Sequence, residues 1–260
     1  MGQPCYVEPR GYATNLQRAG DVYCESITGG LSVEFTRFES SLFQFLEELA
    51  DHNNRPWFQA NKQRYEREVL EPCLAFIRAF EPRLKKISKF FVASDRRVGG
   101  SLMRVYRDTR FAKDAALYKT NVGIQFRHEF GRDVHAPGFY IHIATDQCFL
   151  GVGTWRPDRQ ALTLIRQAIV DESARWRRAK RDKRFQEWFD LAGESLKRAP
   201  RDFSPDHPLI EDLKRTDFIA LGELTERDVL GEAFLDTVAT SFAAGRPFMR
   251  FLCQALNVPL

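Results

Sequence analysis

The chain has 260 residues, 43% hydrophobic and 28% charged, with 39 Lys and Arg against 35 Asp and Glu for a net charge of +4. That balance excludes low-complexity disorder and fibrous architectures, and it permits an anionic partner without demanding one. Five scattered cysteines show neither zinc-ligand spacing nor a disulfide framework, which predicts reduced thiols and a cytoplasmic setting. No apolar run approaches the roughly 20 residues of a membrane span, and the N-terminus lacks the basic-then-apolar order of a signal peptide.

Residues 1–33 are rich in Gly, Pro, Ser, Thr and Asn without a sustained period, and read as a flexible N-terminal extension. Residues 34–260 read as a single α+β domain. Phe38-Glu39-Ser40-Ser41 opens a first helix with Leu42, Phe45, Leu46 and Leu49 on one stripe, stopped by Asn53-Asn54-Arg55-Pro56. A long helix follows over about 57–87, with breaks expected at Pro72 and Pro82. The middle alternates as strands do: Phe90–Ala93, Leu102–Tyr106, Val122–His128, Phe139–Ile143 and Cys148–Thr154, the last two joined by the tight turn Ala144-Thr145-Asp146-Gln147. Helices are predicted over Asp158–Val170, Glu172–Leu191 and Gly231–Leu256, with Asp217–Leu221 as an edge strand. The fold class is therefore α+β, an antiparallel β-sheet meander with helices packed mainly on one face.

Strand parity divides the sheet into two faces. Phe139, Ile141, Ile143, Leu150, Val152, Val122, Ile124 and Phe126 fall on the core face. The opposite face then carries Gln125, Arg127, Tyr140, His142, Phe149, Trp155 and a floor of Gly151 and Gly153. On Leu102–Asp108 the apolar pair Met103 and Val105 argues that Arg104 and Tyr106 face outward. The collected face is a pocket for an anion, with His142 titrating near neutrality; the alternative is the wet face of a one-sided sheet.

The densest signal is the stretch 99–114, where Arg104, Arg107, Arg110 and Lys113 recur every three residues among Asp108, Asp114 and two aromatics, followed by Lys119 and Asn121. Guanidinium groups in such numbers match phosphate or carboxylate oxygens; an internal salt-bridge network is the competing reading. Asn61, Lys62 and Tyr65 share a helical face that could lean over the pocket, or belong to a helix start capped by Asn54 with Trp57 and Phe58 in the core. Seven basic residues in Arg175–Arg184 surround Trp176; they read as nucleic-acid contacts or as a solvated helix face. In the loop 193–208, Lys197 and His207 could close over the pocket. The five histidines have no close partners, and His128, His135, His142 and His207 could meet at a metal only through the fold; no nucleophile motif stands in the chain, and the sequence leaves the cofactor open.

These residues resemble the conserved family called domain of unknown function 2461. The matching stretches are Asn54-Arg55-x-Trp57-Phe58-x-x-Asn61-Lys62-x-x-Tyr65-Glu66, Gly99-Gly100-Ser101-x-x-Arg104-x-Tyr106-Arg107-Asp108-Thr109-Arg110-Phe111, Tyr118-Lys119-Thr120-Asn121, Ala136-Pro137-Gly138-Phe139-Tyr140, Gly193-Glu194-Ser195-Leu196-Lys197-Arg198 and His207-Pro208-Leu209. The resemblance covers roughly residues 36–257 and implies that the motifs form one module. It implies no activity. The chain departs from the family pattern at Ala115-Ala116-Leu117, where Lys-Thr-Pro is usual, so a cation is missing at position 115.

The leading expectation is a small anionic, phosphorylated ligand held by Arg104, Tyr106, Arg107, Arg110, Lys113, Lys119, Asn121, Arg127, Tyr140, Asn61 and Lys62. His142 and Asp108 are the proton-transfer candidates of a possible hydrolase or transferase. A nucleic-acid-binding module built on the basic helix and a non-catalytic interaction protein are the alternatives.

Overall fold

The computed structural model describes residues 35–107, 116–131 and 137–260. Asp108, Arg110 and Lys113, the segment 111–115 with its family departure at Ala115, His135 and the N-terminal 1–33 therefore lie outside the described residues.

The fold is mixed α+β around an open six-stranded antiparallel sheet. Helix α1 (Ser41–Asp51) buries Leu42, Phe45, Leu46 and Leu49, the stripe that the sequence sets at helical spacing. Helix α2 (Arg55–Ala60) starts where Asn54 accepts the Trp57 N–H at 3.0 Å, with Pro56 in its first turn. Phe58 is buried and Trp57 packs on Phe45. Helix α3 (Lys62–Tyr65) runs through a π-helical turn, Glu66–Leu70, into α4 (Glu71–Ile87). The π turn precedes Pro72, which has no N–H to continue the ladder and whose ring crowds the carbonyl four residues back. Pro82 does not break α4. Arg64 grips both carboxylate oxygens of Glu48 at 2.6 and 2.8 Å and ties α3 to α1.

The strands are β1 (Phe91–Val92), β2 (Asn121–His128), β3 (Gly138–Ala144), β4 (Cys148–Thr154), β5 (Asp190–Ala192) and β6 (Phe218–Leu224), in the order β1-β2-β3-β4-β6-β5. The β3–β4 turn closes through Ala144 N–H to the Gln147 carbonyl at 3.1 Å. The register pairs Phe126 with Phe139, Ile124 with Ile141, Val122 with Ile143, and then Ile141 with Leu150 and Phe139 with Val152. These side chains make one buried face. Helix α4, α10 (Phe234–Ala244) and α11 (Arg246–Ala255) cover it. Phe80 meets Phe126 with ring centroids 5.0 Å apart, and Phe242 meets Phe139 at 4.8 Å. Helix α5 (Arg159–Asp171) is capped by Asp158, which accepts the Ala161 N–H at 2.8 Å. Helices α6 (Ser173–Lys180), α7 (Lys183–Trp188), α8 (Ile210–Leu213) and α9 (Glu226–Leu230) complete the chain.

Four elements differ from the sequence reading. Leu102–Tyr106 forms only isolated bridges, Leu102 to Ile124 and Tyr106 to Tyr118. The helix expected over 172–191 divides into α6 and α7, and its last residues become β5. The helix expected over 231–256 divides at Gly245-Arg246-Pro247, where Pro247 can start a helix but not continue one. The strand near 217–221 is β6, which is not an edge: it lies between β4 and β5. Its burial is set by a partner strand some thirty residues away in sequence, and no local pattern reports that.

Among the described residues no helix is long and apolar enough to cross a membrane. Because Phe139 is fully buried in the face under α10, Phe139→Ala should lower unfolding free energy by about 3–5 kcal/mol. Urea titration would show it as a lower midpoint with an unchanged slope.

Candidate functional site

The face of the sheet opposite the helices is concave. It forms a cavity of about 320 Å³ lined mainly by Met103, Gln125, Tyr140, His142, Phe149, Gly151, Trp155, Ile219 and Leu221. Parity places these groups together. Tyr140 pairs across the sheet with Gln125 on one side and Gly151 on the other, and Gly151 pairs with Leu221. The floor at Gly151 has room: a Cβ there would meet Leu221 and Tyr140 no closer than 3.5 Å. At Gly123 the opposite holds, since a Cβ would come within 2.8 Å of the Tyr140 hydroxyl. Gly123 therefore makes way for the Tyr140 ring. Gly153, expected in the floor, instead has φ +121° and turns against the Phe218 carbonyl, where a Cβ would stand 2.1 Å away. Gly138 takes its place in the lining.

The walls are aromatic. The His142 ring stacks on Phe149 with centroids 4.6 Å apart and planes 8° from parallel. The Tyr140 hydroxyl and His142 Nδ1 are hydrogen-bonded at 3.1 Å. Burial lowers the His142 pKa below its usual value, against the opposing pull of Asp146, and pushes the Tyr140 phenol up to about 12. Both groups are therefore neutral at neutral pH, and the imidazole is a proton acceptor inside an apolar wall. Trp155 stands at the rim, 45% exposed, with the Arg156 guanidinium 4.8 Å above its ring. Buried Asp217 holds that rim: its carboxylate accepts the Arg156 N–H at 2.7 Å and the Glu194 N–H at 2.9 Å. Gly193 (φ +96°) lets the two loops meet, because a Cβ there would lie 2.5 Å from Asp217 Cβ.

The cations lie around this cavity rather than inside it. Arg127 donates through Nε to Gln125 Oε1 at 3.2 Å, which brings its charge to the wall. Met103 belongs both to this cavity and to a small neighbouring one that contains Lys119, Asn121, Tyr65 and Val105. Burial and the adjacent Arg104 both depress the Lys119 pKa. Arg104 and Lys119 form no ion pair with a described residue. Two like charges held together, one partly desolvated, favour an anion at that point.

The faces assigned by parity to residues 103–106 are reversed in part. Met103 lines the cavity, Leu102 joins the core, and Tyr106 packs beside Phe58 and Tyr118 on an exposed surface. The cause is the loss of a regular strand: residues 105–107 leave β2 and pair with 117–119 instead. Arg107 is exposed on that hairpin, its N–H donating to the Leu117 carbonyl at 3.0 Å. Neither Asn61 nor Lys62 lines either cavity; the Asn61 amide donates to the Trp57 carbonyl, and Lys62 is exposed. Lys197 is exposed, and His207 Nδ1 accepts the Leu209 N–H before α8. Trp176 is fully buried against Phe218, Phe248 and Phe251, and so gives no platform for a base. Lys180 in the same run binds Asp212, and Arg175 binds Glu172.

Sequence reasoning missed Asn53. Its Oδ1 accepts the N–H groups of Leu117 and Tyr118, both at 2.9 Å, and its Nδ2 donates to the Tyr118 carbonyl at 3.0 Å. One side chain thus anchors the hairpin that carries Lys119. The Asn-Asn dipeptide reads only as a helix stop, and nothing local reveals a partner 64 residues away. Ile219 and Leu221 were missed because β6 was taken for an edge.

Among the described residues no cluster of His, Cys, Asp and Glu is arranged to hold a metal ion. The site thus defines a class: an α+β protein with an aromatic-walled cavity on its sheet and, among the described residues, cations without carboxylate partners at the margin. The family model for the conserved hypothetical protein DUF2461 matches residues 41–251, so the chain belongs to that family. No curated protein and no solved structure matches it.

Two outcomes follow. Asn53→Ala should cost about 1–3 kcal/mol, since it strands two backbone donors, and amide exchange should accelerate at residues 117–119 before it does in the sheet. For His142, the folded pKa lies below the unfolded value, so the unfolded state binds more protons and stability is lost as pH falls through that window. Melting temperature should drop from about pH 7 to about pH 5, and His142→Gln should flatten that slope in differential scanning fluorimetry.

Proposed function

We propose that this protein binds a small anionic ligand, phosphorylated and carrying a flat apolar body, in the cavity on the open face of its sheet. One observation carries the reading: an aromatic-walled cavity of about 320 Å³ with a glycine floor adjoins Arg104 and Lys119, which have no carboxylate partner among the described residues. Its size falls in the range of small-molecule sites, and its lining follows their rule of apolar walls with a few polar groups. A planar body would lie over Gly151 between Tyr140, Phe149, Leu221 and Trp155. Its anionic group would meet Arg127 at one wall or Lys119 and Arg104 beyond Met103, where charge-assisted hydrogen bonds are strong.

A bound ligand finds in His142 a neutral imidazole hydrogen-bonded to Tyr140, the pair able to take up or deliver one proton. Cationic side chains at the rim would stabilise negative charge developing on the ligand, as in phosphoryl or acyl transfer. Buried thiols at Cys73, Cys148 and Cys253, the last pushed up to about 12 by burial, are unreactive and suit a reducing cytoplasm.

The test is a thermal-shift screen of aryl phosphates, nucleoside monophosphates, aryl carboxylates and inorganic phosphate. A specific ligand at a hundredfold excess over its Kd stabilises the fold by roughly 2.7 kcal/mol, about 5–10 °C for a chain of this size. Gly151→Leu fills the floor without a backbone clash and should abolish the shift while leaving the apo melting point within a few degrees. Lys119→Gln should weaken binding about tenfold. A ligand whose shift survives Gly151→Leu binds elsewhere and sinks this reading.

A further inference from the structure

A second cleft lies among the helices, away from the sheet cavity. It has a volume of about 520 Å³ and runs between α4, α7 and α10 to the first turn of α11. Four cations line it: Arg83 and Lys86 from α4, Arg184 from α7 and Arg246 from α11. Glu187 is the carboxylate in its wall. Arg83 Nε donates to Asp236 Oδ1 at 2.8 Å, so that cation is neutralised. Lys86, Arg184 and Arg246 make no ion pair among the described residues. The four cations against Glu187 and Asp236 leave two positive charges unmatched.

Arg246 carries the argument further. Its Nε is shielded from solvent and has no hydrogen-bond partner. A charged donor shielded from water is costly to leave unsatisfied, so an anionic acceptor beside half-buried Arg246 would be favoured. The residue also opens α11, directly after the Gly245 that ends α10. Trp188 and Ile87 supply an apolar wall beside the charges.

We propose that this cleft is a second ligand site, separate from the sheet cavity, for a small soluble phosphate monoester with a planar body. The phosphate dianion matches the two unmatched charges, and its oxygens would engage Arg246 and Arg184 at the α11 end. The planar body would lie against Trp188. Arg184 closes the basic run of α6 and α7, so part of that run faces a cleft and not only solvent.

Isothermal titration at low salt tests this, with AMP, inorganic phosphate and pyrophosphate as probes. It is done in the Gly151→Leu variant, so that binding in the sheet cavity does not contribute. Saturable one-to-one binding of AMP is expected, stronger than that of inorganic phosphate. Arg184→Gln and Lys86→Gln, both at exposed positions, should each weaken it about tenfold or more with unchanged melting points, and Arg246→Gln should remove it. Failure of all three probes to bind would overturn the proposal. So would binding that is indifferent to Arg184→Gln and Lys86→Gln, or a protein that answers only to anionic lipid vesicles or to RNA.

Discussion

The pleat of β3 organises this molecule. Phe139, Ile141 and Ile143 enter the core, each matched across the sheet by an apolar partner on β2 and β4, and helices α4, α10 and α11 close over them. Burial of that face is the dominant stabilising term, because it removes a continuous sheet of aliphatic and aromatic surface from water. Once it is fixed, a slip by one residue would place Tyr140 and His142 in the core and Phe139 in the open. The cavity is thus a consequence of the core: Tyr140, His142 and their cross-strand neighbours Gln125, Phe149 and Gly151 have no other side to occupy.

The polar devices at the edges then decide what that cavity can hold. Asn53 fastens the hairpin carrying Lys119 to the start of α2 through three hydrogen bonds. Asp217 fastens the Trp155–Arg156 rim to the Glu194 loop through two. Neither residue touches the interior of the cavity. Both satisfy backbone donors that an irregular loop leaves without partners, which is how loops are held beside a sheet. The result is an aromatic interior with charges kept at its margin, so desolvation acts on His142 and Tyr140 inside and on Lys119 beside them.

The basic residues of the chain separate by the same logic. In α6 the tryptophan faces inward to Phe248 and Phe251, and Lys180 and Arg175 are tied to carboxylates. In α7 and α11 the cations Arg184 and Arg246 line a cleft and make no ion pair among the described residues. Charge runs that look uniform in sequence therefore divide into structural and available members once their neighbours are known.

The sequence by itself determined the fold class, the helical stripe of α1, the cap at Asn54 and the two-faced character of β2, β3 and β4. Each rests on a local period or on a side chain bonding to backbone within one turn. It also brought Tyr140, His142, Gln125, Phe149 and the Gly151 floor to one face, since alternation along a strand is obligatory. Tertiary structure decided the rest. Whether Met103 or Arg104 meets the cavity depended on residues 105–107 leaving β2 for a hairpin with 117–119. Whether Ile219 and Leu221 line it depended on β6 inserting beside β4. Whether Trp176 was a stacking surface or core depended on α11. All three are contacts between segments distant in the chain, whose energies depend on burial against a partner, and burial is a property of the assembled fold that no local pattern carries.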